Sequence, residues 1–433
     1  MEKILDKAKK VAQEAEVFLV SSEETPVEFE ANRLKSVQSK QSTSLALRII
    51  KDGRIGYATA TGLEDSQALV DAALETAQFG TEAKFEFPSL TPFPQIDIFD
   101  PAVEAVSSEE MVRLGEEMIS VIRKKHPDLQ CEAGVSKGTA SVRIINSRGG
   151  QATYRQTFFS LGVEGQLIRD TDMLFVGEGL SSCHPVLETD FITGTVLRQL
   201  EWAGNQASAP TKSIPVIFTP HGVASSLIMP LMTAFNGKTV LEGASPIGKK
   251  IGQTVFDETL QVVDDPTVAY RPASRLCDDE GVPSRVTPLI ENGVVRNFLY
   301  DLQTAGLAGT LSSGSGRRSR GGLPAPSPSA FIISPGKTTF DEMLSDIKEG
   351  LVIEQLMGAS QGNILGGDFS GNVLLGYKVE NGKIVGRVKD TMVSGNIYQM
   401  MKDIAAIGSE ARWVRGSLKT PPLYFSSLSV ASK

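Results

Sequence analysis

Ile214-Pro215-Val216-Ile217-Phe218-Thr219-Pro220-His221-Gly222 leads directly into Val223-Ala224-Ser225-Ser226-Leu227-Ile228-Met229-Pro230-Leu231, and the chain then reaches Phe235-Asn236-Gly237. The first part reads as a strand: Ile214, Val216 and Phe218 alternate with other residues, and β-branched side chains favour extended backbone. Pro220-His221-Gly222 is a turn. Val223, Leu227, Leu231 and Phe235 then recur every four residues, the stripe of a helix over 221–236 that buries one face. Asn236-Gly237 is expected to stop that helix in the left-handed conformation. A strand feeding a helix in mid-chain is a favoured place for catalytic groups, yet this helix carries no acid, base or metal ligand.

Working outward, the chain has 433 residues, more than one ordinary core can serve, so several domains are expected. A net charge of −8 argues against a protein that binds nucleic acid by neutralising phosphates. No apolar run approaches a membrane span. The start, Met1 to Lys10, is charged and lacks an apolar stretch, so a cytoplasmic location is expected. Cys131, Cys183 and Cys277 are sparse and widely spaced, which fits a reducing compartment and gives no zinc-knuckle spacing. His126, His184 and His221 stand alone beside proline or glycine and read as turn or surface residues.

Before the central stretch, residues 1–205 read as an α+β domain. A helix from Ile4 is followed by strands, and Asp52-Gly53 is a strong hairpin signal between 43–50 and 54–61. A second helix is expected over 64–78, and a third begins at the capping box Ser107–Glu110. Between them, Phe85 to Pro101 interleaves prolines with phenylalanines: a surface strap that packs down on something. Strands at 132–135, 140–145 and 153–164 and a helix over 190–203 complete this part, and the polar stretch 204–213 marks a boundary. Residues 214–433 are β-rich, with hairpin signals at Asn292-Gly293 and Asn381-Gly382 and only two further helices, expected over 340–349 and 396–406. A large, mostly antiparallel sheet or open barrel is expected there.

Two segments could carry binding chemistry. Gly314, Gly316, Arg317 and Arg318, with Pro324 and Ser327 beyond them, combine approachable backbone with forked donors. They read as a flexible solvated loop, as a site for an extended peptide's backbone or carboxylate, or, more weakly, as a phosphate site. Asp278, Asp279 and Glu280 form an acidic cluster that could meet a hard cation, or be a turn that pairs with the arginine-rich loop. No Gly-x-Ser-x-Gly elbow is present, and no catalytic residue is assigned.

The assembled pieces resemble the TldD/PmbA family over nearly the whole chain. The resemblance is carried by Leu63-Glu64-Asp65, Asp278-Asp279-Glu280-Gly281-Val282-Pro283, Leu289-Ile290-Glu291-Asn292-Gly293 and Gly314-Ser315-Gly316-Arg317-Arg318. Asp368-Phe369-Ser370-Gly371, Val379-Glu380-Asn381-Gly382, Ala406-Ile407-Gly408 and Arg415-Gly416-Ser417 add to it. The resemblance implies a smaller α+β domain ahead of a large β-rich one. It also implies two branches. In the TldD branch, His-Glu-x-x-x-His on the central helix and a C-terminal cysteine hold zinc, which activates water for peptide hydrolysis. Here Ser226, Leu227 and Leu231 stand at those helix positions, and the cysteine position falls near 416–418, with no cysteine beyond Cys277. The chain is therefore similar to the PmbA (TldE) branch. The expectation is no cofactor in this chain, zinc in a TldD-like partner, and a heterodimer that encloses a chamber for unfolded peptides. The alternatives are an independent homodimeric peptide-binding protein or hydrolase, and, more weakly, a direct modulator of DNA gyrase.

Overall fold

The computed structural model describes residues 1–62, 65–169, 172–319 and 322–432. Leu63 and Glu64 of the Leu63-Glu64-Asp65 stretch lie outside the described residues. The chain is α+β and strand-rich. Its first sheet takes seven strands in the order β4-β3-β1-β5-β6-β7, with β2 paired to β1. They are β1 (Glu14–Glu30), β2 (Arg33–Val37), β3 (Lys40–Lys51), β4 (Arg54–Ala60), β5 (Gln130–Asn146), β6 (Gln151–Arg169) and β7 (Asp172–Ser182). Helices α1 (Glu2–Ala8) and α2 (Ser66–Ala77) cover one end of it. The helices α3 (Pro101–Ala105), α4 (Ser108–Lys125) and α5 (Asp190–Trp202) pack over the β5–β7 region.

The hairpin signals hold for a geometric reason. Asp52-Gly53, Asn292-Gly293 and Asn381-Gly382 all have positive φ at both residues, the turn whose twist suits antiparallel strands. The separate strands expected in the first part are fewer and longer: β1 runs through Pro26, and β5 runs without a break across 130–146. Strand β7 had no expectation at all. The capping box at Ser107 is half formed, because Ser107 accepts from the Glu110 N–H while the Glu110 carboxylate turns to Arg113. The late helices are shorter than expected, Phe340–Ser345 and Ile397–Met400, because Glu349 already begins a strand and the second helix is a single capped turn.

The second large sheet begins with β8 (Gln206–Ala207) and β9 (Lys212–Phe218). Five of its strands close on themselves. The order is Glu349–Met357, β9, Leu423–Ser432, Thr391–Asn396, Asp368–Glu380 and back to Glu349–Met357. Within this ring only the pair of β9 with Glu349–Met357 is parallel. Alternation sends Ile214, Val216 and Phe218 of β9 to one core with Val223, Leu227, Leu231 and Phe235. Ile217 goes to the other core, shared with α4, α5 and the first sheet. From Ile214 to Phe218 both faces of β9 are therefore covered, which is why that part of its sequence is apolar.

The helix after β9 is not uniform. Pro220–Gly222 starts it, Val223–Leu227 is a π turn, and Ile228–Ala234 is α-helical. The expected left-handed stop is absent. Asn236 has φ −72° and caps a new helix, Gly237–Leu241, through bonds from the Lys238 and Thr239 N–H groups. Gly237 is needed for space, since a Cβ there would lie 2.2 Å from the Tyr300 ring. Leu231 is fully buried while Met229 is 49% exposed. Leu231→Ala should therefore cost about 2–5 kcal/mol, and Met229→Ala less than about 0.5 kcal/mol. Urea unfolding midpoints check both, and equal effects would contradict the burial assigned to this helix.

Candidate functional site

The residues expected to bind peptide fall into two places, and neither is open loop. Gly316–Arg318 pairs antiparallel with Pro324–Pro326, and Gly314 and Gly316 are buried. The acidic turn meets this hairpin directly. Asp278 accepts from the Gly316 N–H at 2.9 Å and from its own turn at Glu280 and Val282. Asp279 accepts from the Arg318 N–H at 2.7 Å. The flexible-loop reading is thus corrected by backbone pairing and by carboxylates that hold the hairpin.

Beneath the hairpin lies a buried charge network. Arg48 of β3 donates to Glu280 at 2.6 Å and to Glu16 of β1 at 3.2 Å, and the Arg318 guanidinium also reaches Glu16. The Leu302 N–H completes the shell of Glu280 at 2.7 Å. The Phe85 and Phe87 rings of the strap lie 4.8 and 4.9 Å from the Arg48 guanidinium carbon. Burial pushes the Glu280 carboxyl up from its ordinary range, with Arg48 pulling against it. Arg317, by contrast, is exposed, while Pro324 and Ser327 are half-buried. Ser327 donates its N–H to Ser315. Glu280 and Arg318 are therefore engaged with the protein itself.

The open site lies elsewhere. A cleft of about 1110 Å³ runs across the first sheet to the helix after β9, and none of those hairpin or acidic residues lines it. Its floor is set by strand register. Glu28, Gly134, Gly162 and Gly179 are directly paired across β1, β5, β6 and β7, and Glu132, Glu164 and Gly177 form the next row. Directly opposed residues share a face. A Cβ added at Gly134 would meet nothing within 4 Å, so the backbone there is open to the cleft. Buried Gln199 of α5 anchors the β7 end through both its amide groups, to the N–H and C=O of Gly177.

At that end stand His221, Ala224, Ser225, Glu354 and Arg415. His221 Nε2 lies 3.1 Å from both carboxylate oxygens of Glu178, and Glu354 behind it accepts from the Thr219 hydroxyl at 2.9 Å. Burial opposes charge on the ring, but the bond to Glu178 and the Glu178 and Glu354 charges outweigh it, so the His221 pKa is raised. The expectation of a turn or surface histidine is corrected for His221. The Pro-His-Gly turn could have drawn attention to it, but Glu178, on a glycine-rich strand, gave no signal.

Ser226, Leu227 and Leu231 do not gather about this cleft. Leu227 and Leu231 are fully buried in the core beneath it, Ser226 is buried, and the Ser225 and Ser226 hydroxyls are 3.1 Å apart. One hydroxyl and two alkyl side chains offer no donor set that fits zinc. Among the described residues no group of three or more His, Cys, Asp or Glu side chains is arranged to hold a metal ion. None of the described helices is long and apolar enough to cross a membrane.

The architecture, a seven-stranded sheet ahead of a second, β-rich part, is shared with solved structures. The chain superposes on TldE from Thermococcus kodakarensis with a TM-score of 0.89 and 22% identity, covering 100% of both chains. Models of the PmbA/TldA metallopeptidase domain 1, central domain and C-terminal domain match residues 15–78, 101–182 and 211–432. The chain belongs to the PmbA/TldD family. An uncharacterised protein of Methanocaldococcus jannaschii is 29% identical, with 98% of each chain covered. The metalloprotease PmbA of Escherichia coli O157:H7 is 26% identical over 94% of this chain and 92% of its own.

Two predictions follow from the contrast between the buried network and the open cleft. Glu280→Ala takes from Arg48 one of its two buried carboxylate partners and should cost about 3–5 kcal/mol, whereas Arg317→Ala should change stability by less than about 0.5 kcal/mol; chemical denaturation distinguishes them. A raised His221 pKa means the folded state holds its proton more tightly than the unfolded chain. The stability this contributes is complete below about pH 6.5 and is lost as pH rises through the raised value. The midpoint difference between wild type and His221→Gln should therefore shrink at alkaline pH, and a constant difference would contradict it.

Proposed function

We propose that this chain is the subunit without catalytic zinc of a cytoplasmic TldD/TldE-type metallopeptidase that processes unfolded peptides. The observation that carries this reading is the helix after β9. In a chain that belongs to a metallopeptidase family, Leu227 and Leu231 occupy that helix as core residues. In this reading a TldD-like partner brings the zinc and the water it activates. This chain supplies wall: a sheet with bare glycine backbone facing the cleft. The net charge of −8 disfavours a role exerted through direct contact with DNA.

Co-expression with the TldD-like chain of the same genome tests the proposal. The expected result is a stable one-to-one complex with about one zinc per pair, peptidase activity only in the mixture, and none in this chain alone. Stoichiometric zinc bound by this chain alone, or failure of the two chains to associate, would overturn it. The cleft being built wholly within one chain favours one second reading, an independent homodimeric peptide-binding protein. Sedimentation of the isolated chain, with turnover of an unstructured peptide by it, would bring that reading forward.

A further inference from the structure

Carboxylates and bare backbone alternate with position along the rows that cross the cleft floor. On the β1, β5 and β6 side the rows begin with Glu28, Glu132 and Glu164; on the β7 side they end in Gly179 and Gly177. Glu28 accepts from Ser36, while Glu132 and Glu164 are exposed. Past the glycine ends stand His221, whose charge is met by Glu178 and the neighbouring Glu354, and Arg415, so the carboxylates of the far side face one cation without an ion pair among the described residues.

Arg415 is held there by a strained turn. Arg412–Val414 and Leu418–Thr420 form a short hairpin whose tip has φ +51° at Arg415 and +71° at Gly416. A non-glycine residue in that region costs energy and persists only where its surroundings impose it. The surroundings here are Ser181 of β7, whose Oγ lies 2.5 Å from where a Gly416 Cβ would be, and the buried Val414. Nearby Arg412 pairs with Glu410 at 3.7 Å, whereas Arg415 has no ion pair among the described residues and lines the cleft. Arg415 is also near enough to His221 for its charge to oppose that ring's protonation.

Resting on the reading of this cleft as a peptide-handling surface, we infer that it takes extended peptides by their free carboxy terminus. The terminal carboxylate lies against Arg415, and the chain extends back over the glycines toward Glu132 and Glu164. Four strands span about 14 Å at the usual strand spacing, the length of about four extended residues. The carboxylate side favours a basic residue or the peptide's own ammonium at the other end. Glycines matter because only a floor without side chains lets a peptide backbone lie this close to the sheet.

The test compares an unstructured, fluorescently labelled hexapeptide with its carboxy-terminal amide, binding to the full-length chain, read by anisotropy. The free acid should bind roughly tenfold tighter, the gain expected of one charge-assisted contact. Arg415→Gln should erase that difference. Arg415→Lys should restore part of it, and Arg415→Asn, which tolerates the left-handed turn, should match Gln if fold is not the cause. Equal affinities of acid and amide for the wild type, or no binding of either, would overturn the inference. Complex formation with a zinc-bearing chain is read separately, so the subunit assignment stands or falls on its own experiment.

Discussion

The structure depends on a charge that has been taken out of water. Arg48 sits at 2% exposure in β3, between Glu16 of the neighbouring strand and Glu280 from a turn 232 residues further along. Two charges withdrawn from solvent cost several kcal/mol each, and the cost is recovered only when every lone pair and donor is met. Here the shell is nearly complete: Glu280 has Arg48 and the Leu302 N–H, Glu16 has Arg48 and Arg318, and the guanidinium face is covered by two phenylalanines. Such geometry fixes the Gly316–Arg318 hairpin on the first sheet more narrowly than apolar contact would, because an apolar surface tolerates sliding and directed hydrogen bonds between charged groups do not.

This lock also explains the division of labour between polar segments. The arginine-rich and acidic stretches have the composition of a ligand site but spend their charges on each other. The cleft has modest composition and an open floor. Its polar groups come from many separate elements, brought together by strand register and by the turn at Arg415. Charge density along a sequence therefore marked the joint between the two parts of the fold, and the place able to receive a ligand is where charges come from scattered positions of the sequence and backbone is bare.

What could be read from the sequence follows the range of the physics. The turns at Asp52-Gly53, Asn292-Gly293 and Asn381-Gly382 were legible because positive φ at two successive residues is a local demand that few residue types meet. The α+β class and the β-rich second part were legible from periodicity and glycine frequency. Strand β7 was not, since Gly177 and Gly179 interrupt its alternation for the sake of an open face rather than for a turn. The π turn after β9 was invisible because its residues, Val223 to Leu227, suit an α-helix equally well. Among the expected site residues, Ser226, Leu227 and Leu231 were placed on the right helix, but the neighbours that face the cleft, His221 and Ser225, were passed over. Burial of one face and exposure of the adjacent one is a tertiary fact.

The π turn bears on why that helix keeps its form with apolar residues at its inner positions. A wide turn is less favourable than an α turn and is found mostly where a function has held it in place. In this chain it sets Ala224 and Ser225 toward the cleft while Val223 and Leu227 remain in the core. Small side chains at the cleft wall continue the low relief of the glycine rows, and leucines beneath replace coordination with packing as the source of rigidity. The helix is therefore held by its apolar side and shaped by its polar side. A surface so held can keep its contour without a metal, and contour is what an extended chain laid across a bare sheet would require of it.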